Sequence, residues 1–123
     1  ALVCAGSATS AGQSTGNAIK LDALGNVIVT GYMSADTDFD MGLGFHTLTA
    51  YGQDFFIAKY DSSGGLLWAK GLTSTATNIY VFDQQPLDLA VDATGNVLVS
   101  GSIVYGMDFD PSAGTAIHTP ISA

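Results

Sequence analysis

The sequence predicts an all-β chain of antiparallel strands that repeat about every seventy residues, with essentially no helix. Three observations carry that expectation. Gly25-Asn-Val-Ile-Val-Thr-Gly31 returns as Gly95-Asn-Val-Leu-Val-Ser-Gly101, and Asp38-Phe-Asp40 returns as Asp108-Phe-Asp110, each seventy residues on. A fixed offset held over separate landmarks marks a repeat architecture. Eleven Asp and fifteen Gly stand beside no Glu and no Arg; Asp and Gly belong in turns, whereas Glu and Arg favour helices. No stretch shows helical spacing of apolar residues between caps.

From the N-terminus, Ala1 to Ala5 is a short apolar run whose Val3-Cys-Ala-Gly6 aligns with Trp68-Ala-Lys-Gly71, so it reads as the closing strand of a preceding unit. The lone Cys4 is then a small apolar residue of that strand, without a disulfide partner. Ser7 to Gly16 reads as a loop from its Ser, Thr, Gly and Gln content. Ala18 to Leu21 and Val27 to Thr30 form a hairpin across Asp22-Ala-Leu-Gly25-Asn26, where Asp caps its own backbone and Gly takes a positive φ. The same device stands at Asp61 to Gly65 and at Asp92 to Asn96. Three matching turns point to antiparallel sheet.

Val27-Ile-Val29 and Val97-Leu-Val99 are continuous apolar runs, as expected of strands covered on both faces. Val27, Val29, Val97 and Val99 are therefore expected in the core with Phe56, Ile57 and Trp68. Lys59 and Lys70, at strand ends, are expected to lay their stems on the sheet and expose their ammonium groups. Tyr32 to Gln53 is too long for a plain loop, and Phe45-His-Thr-Leu-Thr49 within it alternates like a strand. Its expected counterpart is Ile117-His118-Thr119, which aligns His46 with His118 at an offset of 72 through two inserted residues. Thr73 to Pro86 is another long connection, roughly five residues longer than its N-terminal equivalent, and Ile79-Tyr-Val-Phe82 in it reads as an extra strand or edge cover. The expected organisation is a closing strand and loop over 1–16, a complete repeat over 17–71, a connection over 72–86 and the first half of a second repeat over 87–123. The chain stops where a strand like Asp54 to Tyr60 is due. It is therefore expected to continue into further repeats or to be completed by copies of itself.

Asp22-x-x-Gly25-Asn26-Val27-x-Val29-Thr30-Gly31, Asp54-x-Phe56-x-x-Lys59-x-Asp61, Gly64 through Trp68 and the intervening Asp38-Phe39-Asp40 resemble the bacterial SBBP β-propeller repeat family, over about one and three-quarter repeats. The resemblance implies radial blades of about four antiparallel strands, in secreted or cell-surface bacterial proteins. Blades bury sheet faces against neighbouring blades. Fewer than two blades cannot close a ring, so an incomplete ring is expected.

A net charge of −8 without Arg argues against nucleic acid, because phosphate binding needs clustered cations. No apolar run is long enough to span a bilayer. Asp36, Asp38 and Asp40 alternate, which in an extended strand would put three carboxylates on one side as candidate Ca²⁺ ligands, with Asp108 and Asp110 their partners in the second repeat and Gly106 in the third place. Capping of turns is the favoured reading, because the ligand count falls short of what calcium takes. No cofactor is therefore expected, calcium being the one candidate. His46 and His118 lack enough further zinc-type ligands. No nucleophile elbow or catalytic spacing occurs, so no catalytic residue is assigned. The expected function is a non-enzymatic extracellular scaffold whose partners are other blades or copies of itself. The alternatives are a carbohydrate- or ligand-binding propeller, with Tyr32, Tyr51 and Tyr105 able to stack on a sugar, and part of a propeller enzyme whose active site lies in missing blades.

Overall fold

A computed structural model describes residues 9–10, 12–75, 85–112 and 114–121. Among them there is no helix, and every strand pairing is antiparallel. In chain order the strands are β1 (Thr9–Ser10), β2 (Ser14–Leu21), β3 (Val27–Met33), β4 (Thr37–Asp38), β5 (Thr47–Leu48), β6 (Asp54–Tyr60), β7 (Leu66–Leu72), β8 (Gln85–Val91), β9 (Val97–Ser102), β10 (Met107–Asp108) and β11 (Ile117–His118). The chain is all-β and builds one four-stranded propeller-like blade and two strands of a second, which do not close a ring. The predicted closing strand at Ala1 to Ala5, with Cys4, and the segment Ile79 to Phe82 lie outside the described residues.

The first blade is a four-stranded sheet ordered β2-β3-β6-β7. Its hairpin turns follow the Asp–Gly chemistry. Asp22 Oδ1 accepts the N–H groups of Leu24 and Asn26, both at 2.9 Å, and Asp61 Oδ1 accepts those of Ser63 and Gly65. Gly25 and Gly64 take φ of 82° and 91°, a conformation a Cβ disfavours. In the second blade Asp92 and Gly95 (φ 89°) repeat the device between β8 and β9.

Between β3 and β6 the chain leaves the sheet, forms the β4–β5 ribbon and folds back over one face. Phe39 is the anchor: it is 1% exposed, its ring lies 4.7 Å from that of Phe56, and its carbonyl accepts the Tyr60 hydroxyl at 3.0 Å. Met33, Phe56, Ala58, Tyr60 and Ala69 complete this core, with Val27, Val29, Met41 and Leu48 packed around it. The opposite face carries Phe55 and Leu72, which enclose Met107 of the second blade. Each excursion is also paired with the segment that enters its blade. Ser10 pairs with Thr37, and Met107, seventy residues on from Thr37, pairs with Ser74. From Ser74 to Pro86, which faces Gly101, the chain takes twelve steps; from Ser10 to Gly16, which faces Gly31, it takes six.

Four expectations are corrected. The Ser7 to Gly16 loop contains β1 and the start of β2, a strand whose exposed Ser and Thr give no apolar alternation to read. The runs around Ile28 and Leu98 are not uniformly covered: Ile28 is fully buried while Val27 and Val29 are half-buried, and Val97 and Val99 are half-buried beside an exposed Leu98. β9 has only β8 for a strand neighbour among the described residues, and in that sheet Leu89 is buried while Leu98 is exposed, so one face is covered. Of the other expected core residues, Phe56 is buried, whereas Ile57 and Trp68 are half-buried. The Lys59 ammonium is not exposed; it contacts Asp22 Oδ2 at 2.7 Å. No residues are inserted in the second excursion. Asp38 pairs with Thr47 and Asp108 with Ile117, an offset of seventy throughout, so His46 matches Ala116 and His118 matches Leu48.

Candidate functional site

The acidic excursion is where the sequence placed its candidate ligands, and each carboxylate there holds backbone. β4 covers only Thr37–Asp38, so Asp36, Asp38 and Asp40 do not share one strand face. Asp36 Oδ1 accepts the N–H of Ala50 at 3.0 Å, tying the start of the excursion to its end. Asp38 Oδ1 accepts two, from Asp40 and His46, at 3.0 and 2.8 Å. Asp40 Oδ1 accepts the N–H of Gly42 at 2.8 Å. Short side chains that accept main-chain N–H groups two residues on are the usual way to stiffen such loops.

The second excursion repeats the bonds of Asp38 and Asp40, though not that of Asp36, whose place is taken by Gly106. Asp108 Oδ1 accepts from Asp110 and Ala116, and Asp110 Oδ1 accepts from Ser112. The Ser112 hydroxyl, and then its N–H, hold the Asp110 carboxyl below the usual carboxylate range. Gly44 and Gly114 sit against Asp40 Oδ2 and Asp110 Oδ2, where a Cβ would collide. Among the described residues, no three or more His, Cys, Asp or Glu side chains are grouped to hold a metal ion. The two His residues are exposed; His118 packs edge-on against Phe109 with ring centres 5.7 Å apart.

Two carboxylates outside the excursion carry stronger electrostatics; sequence reasoning gave Asp22 only its turn-capping role and assigned Asp54 none. Asp54 is fully buried; its Oδ1 accepts the N–H of Ser74 at 2.6 Å and its Oδ2 that of Tyr51 at 2.9 Å. It locks the end of the excursion to the segment leaving β7, at the junction with the second blade. Burial pushes its carboxyl up, against the pull of these two bonds. Asp22 is the reverse. The Lys59 ammonium, then the Asn26 side chain, hold its carboxyl well below the usual range. Its counterpart Asp92 has Asn96 and Thr94 but no lysine among its partners, and is held at about 2. The signal for Asp22–Lys59 was present: both residues belong to the motif quoted for the family resemblance, and β3–β6 pairing sets Lys59 opposite Ile28, near the turn.

Burial also raises the Tyr60 phenol, with Asp40 and Asp38 adding to the effect, so Tyr60 remains a hydroxyl donor to the Phe39 carbonyl. Around this rigid base the excursion shows apolar side chains to solvent. Leu43, Phe45 and Tyr51 are 102%, 88% and 62% exposed. Their counterparts at the offset of seventy are Ala113, Thr115 and Ile121. Of the other two tyrosines named for stacking, Tyr105 is 39% exposed and Tyr32 half-buried. No described helix is long and apolar enough to cross a membrane.

Among curated proteins, an uncharacterized WD repeat-containing protein of Acanthamoeba polyphaga mimivirus is similar, with 33% identity over 102 residues, covering 71% of this chain and 7% of that protein. The chain thus spans a small part of the relative's length. No family model and no solved structure matches the chain. The likeness to a WD repeat-containing protein fits the propeller-like blades described above.

Proposed function

We propose that the chain is a non-enzymatic repeat scaffold of the bacterial SBBP type, working outside the cell or at its surface, whose blades form a structural and binding platform. One observation carries the reading. Asp22, Asp38, Asp40, Asp61, Asp92, Asp108 and Asp110, the acidic side chains that recur along the chain, each accept main-chain N–H groups of a turn or excursion. Recurrence is therefore explained by folding chemistry rather than by an active site. Similarity to a WD repeat-containing protein supports the repeat-scaffold part. The SBBP assignment and the location rest on the residues of the repeat motif.

A second reading, binding of carbohydrate by the first excursion, is favoured by the exposure of Phe45 and Tyr51, since flat aromatic faces exposed on a rigid loop suit ligand stacking. A glycan array separates the two. The scaffold reading expects no saturable binding tighter than about 1 mM. Saturable binding lost in Phe45→Ala and Tyr51→Ala would replace it with the second. Antibody labelling of intact, unpermeabilised source cells tests the location: labelling only after permeabilisation would refute it.

A further inference from the structure

The tip of the first excursion is apolar, held in one shape and left uncovered. Phe39 donates its N–H to the His46 carbonyl at 3.0 Å, which closes the turn from Asp40 to Phe45. Asp40 holds the N–H of Gly42, Asp38 holds that of His46, and Met41 packs against the core. Leu43 and Phe45 take no part in that anchoring and are 102% and 88% exposed. Two settings of this tip agree. In the first blade it stands beside its own four-stranded sheet, and Phe45 stays exposed. In the second, the excursion stands against the first blade, where Phe55 and Leu72 enclose Met107, and Gly114 and Thr115, the counterparts of Gly44 and Phe45, are exposed too. Neither its own sheet nor a preceding blade covers this position.

The surroundings of the tip are acidic. Residues 34–53 contain Asp36, Asp38 and Asp40 and neither Lys nor Arg. Among the described residues the salt bridge joins Lys59 to Asp22, and none reaches these three carboxylates. Their main-chain bonds all fall on Oδ1, so each Oδ2 keeps lone pairs to offer a cation. Asp36 holds the N–H of Ala50, next to the exposed Tyr51, so an apolar group stands beside a carboxylate at both ends of the β4–β5 ribbon. We propose that the first excursion docks a basic, extended segment of a partner protein, whose apolar side chains cover Leu43 and Phe45 and whose Lys or Arg groups meet Asp36, Asp38 and Asp40. Charge complementarity selects this occupant: a neutral sugar would use the Phe45 ring but leave the three charges unanswered. The tip is already held in shape, which lowers the ordering cost of the contact. The docking site rests on the binding-platform reading above, and the two fail separately. Sugar binding on the glycan array overturns the scaffold reading, whereas blank glycan and peptide screens overturn only this site.

Calorimetric titration of the full chain with synthetic peptides is the test. The probes are peptides of about eight residues, long enough at about 3.3 Å per residue to run along the ribbon. In one set Lys or Arg alternates with Leu, Ile, Phe or Tyr; in a matched set Glu replaces each base. Cationic members are expected to bind saturably, with Kd below about 100 µM, and the Glu set not at all. Raising salt from about 0.05 to about 0.5 M should weaken binding several-fold. Leu43→Ala combined with Phe45→Thr, which gives the first tip the residues of the second, should weaken it at least about tenfold. Both positions are exposed, and circular dichroism checks that the β fold is kept; Phe45→Ser alone replaces the double variant if it is not. Cationic peptides that bind no tighter than about 1 mM, equal binding of the Glu set, or a folded tip variant that binds like the parent would each overturn the docking site.

Discussion

Replacing Phe39 with Ala tests whether the excursion is clamped to the sheet, because a second copy of the position provides an internal control. Phe39 is 1% exposed, and its ring lies 4.7 Å from Phe56 at an interplanar angle of 52°. Removing a fully buried Phe costs about 3–5 kcal/mol. Loss of an aromatic pair, worth about 0.5–1.5 kcal/mol, places this case in the upper part of that range. Phe109, seventy residues on, is 38% exposed and has His118 for its ring neighbour. The part of its ring that stays wet contributes little, so Phe109→Ala is expected to cost about 1–2 kcal/mol. Urea denaturation followed by far-ultraviolet circular dichroism, at one fixed protein concentration, gives both losses. The midpoints should fall by unequal amounts with slopes unchanged. Equal losses, or a Phe39 loss below about 1 kcal/mol, would mean that the excursion does not rest on the sheet through this ring.

Three further outcomes are expected. Gly31→Ala should abolish the native fold of the first blade, because its Cβ would collide with the Thr15 carbonyl oxygen and stand 2.8 Å from Phe56 Cζ, whereas Gly25→Ala meets open space and pays only for its φ of 82°, about 1–2 kcal/mol; comparable thermal midpoints for the two would refute the packing. Asp22 has its folded pKa lowered, chiefly by Lys59, so the stability it contributes is complete above the unfolded value near 3.8 and is lost as pH falls through the folded one; Lys59→Met should flatten the acid limb of a stability–pH curve, and an unchanged limb would show that the pair does not act. Calcium in excess over a chelated control should leave the melting temperature unchanged, since Asp38 and Asp40 already hold main-chain N–H groups; a rise of several degrees that Asp38→Asn removes would make these carboxylates a metal site.

The offset of seventy and the three Asp–Gly turns were readable because turn chemistry is local. An Asp that accepts two N–H groups and a Gly at positive φ need only neighbours in sequence. Alignment at the second excursion failed for a related reason. Matching His46 to His118 took residue identity as the guide, whereas the pairing of Asp108 with Ile117 is fixed by main-chain bonds that leave Ala116 in the place of His46. Covering of β9 was misjudged because an apolar run reports what a strand can tolerate and not which neighbours it has. Val27-Ile-Val29 and Val97-Leu-Val99 differ by one residue, yet Ile28 is buried and Leu98 is not. The junction at Asp54 was missed on the same ground: its acceptor role depends on Ser74, twenty residues on, across the end of β7.

Recurrence and function therefore pull in different directions in this chain. Positions that return at seventy residues are those the blade needs in order to form, and the bonds of Asp38 and Asp108 coincide so closely that one role accounts for both. Individual function has to reside where the copies diverge on a shared frame. The first excursion does so with Leu43, Phe45 and Tyr51 where the second has Ala113, Thr115 and Ile121. Those three side chains extend from a loop whose base is fixed by Asp36, Asp38, Asp40 and Asp54. A rigid base lowers the ordering cost of any contact the loop makes, and exposed aromatic and aliphatic groups supply the area for one. The acidic residues thus hold the loop in place, while the apolar residues above them are what it shows to solvent.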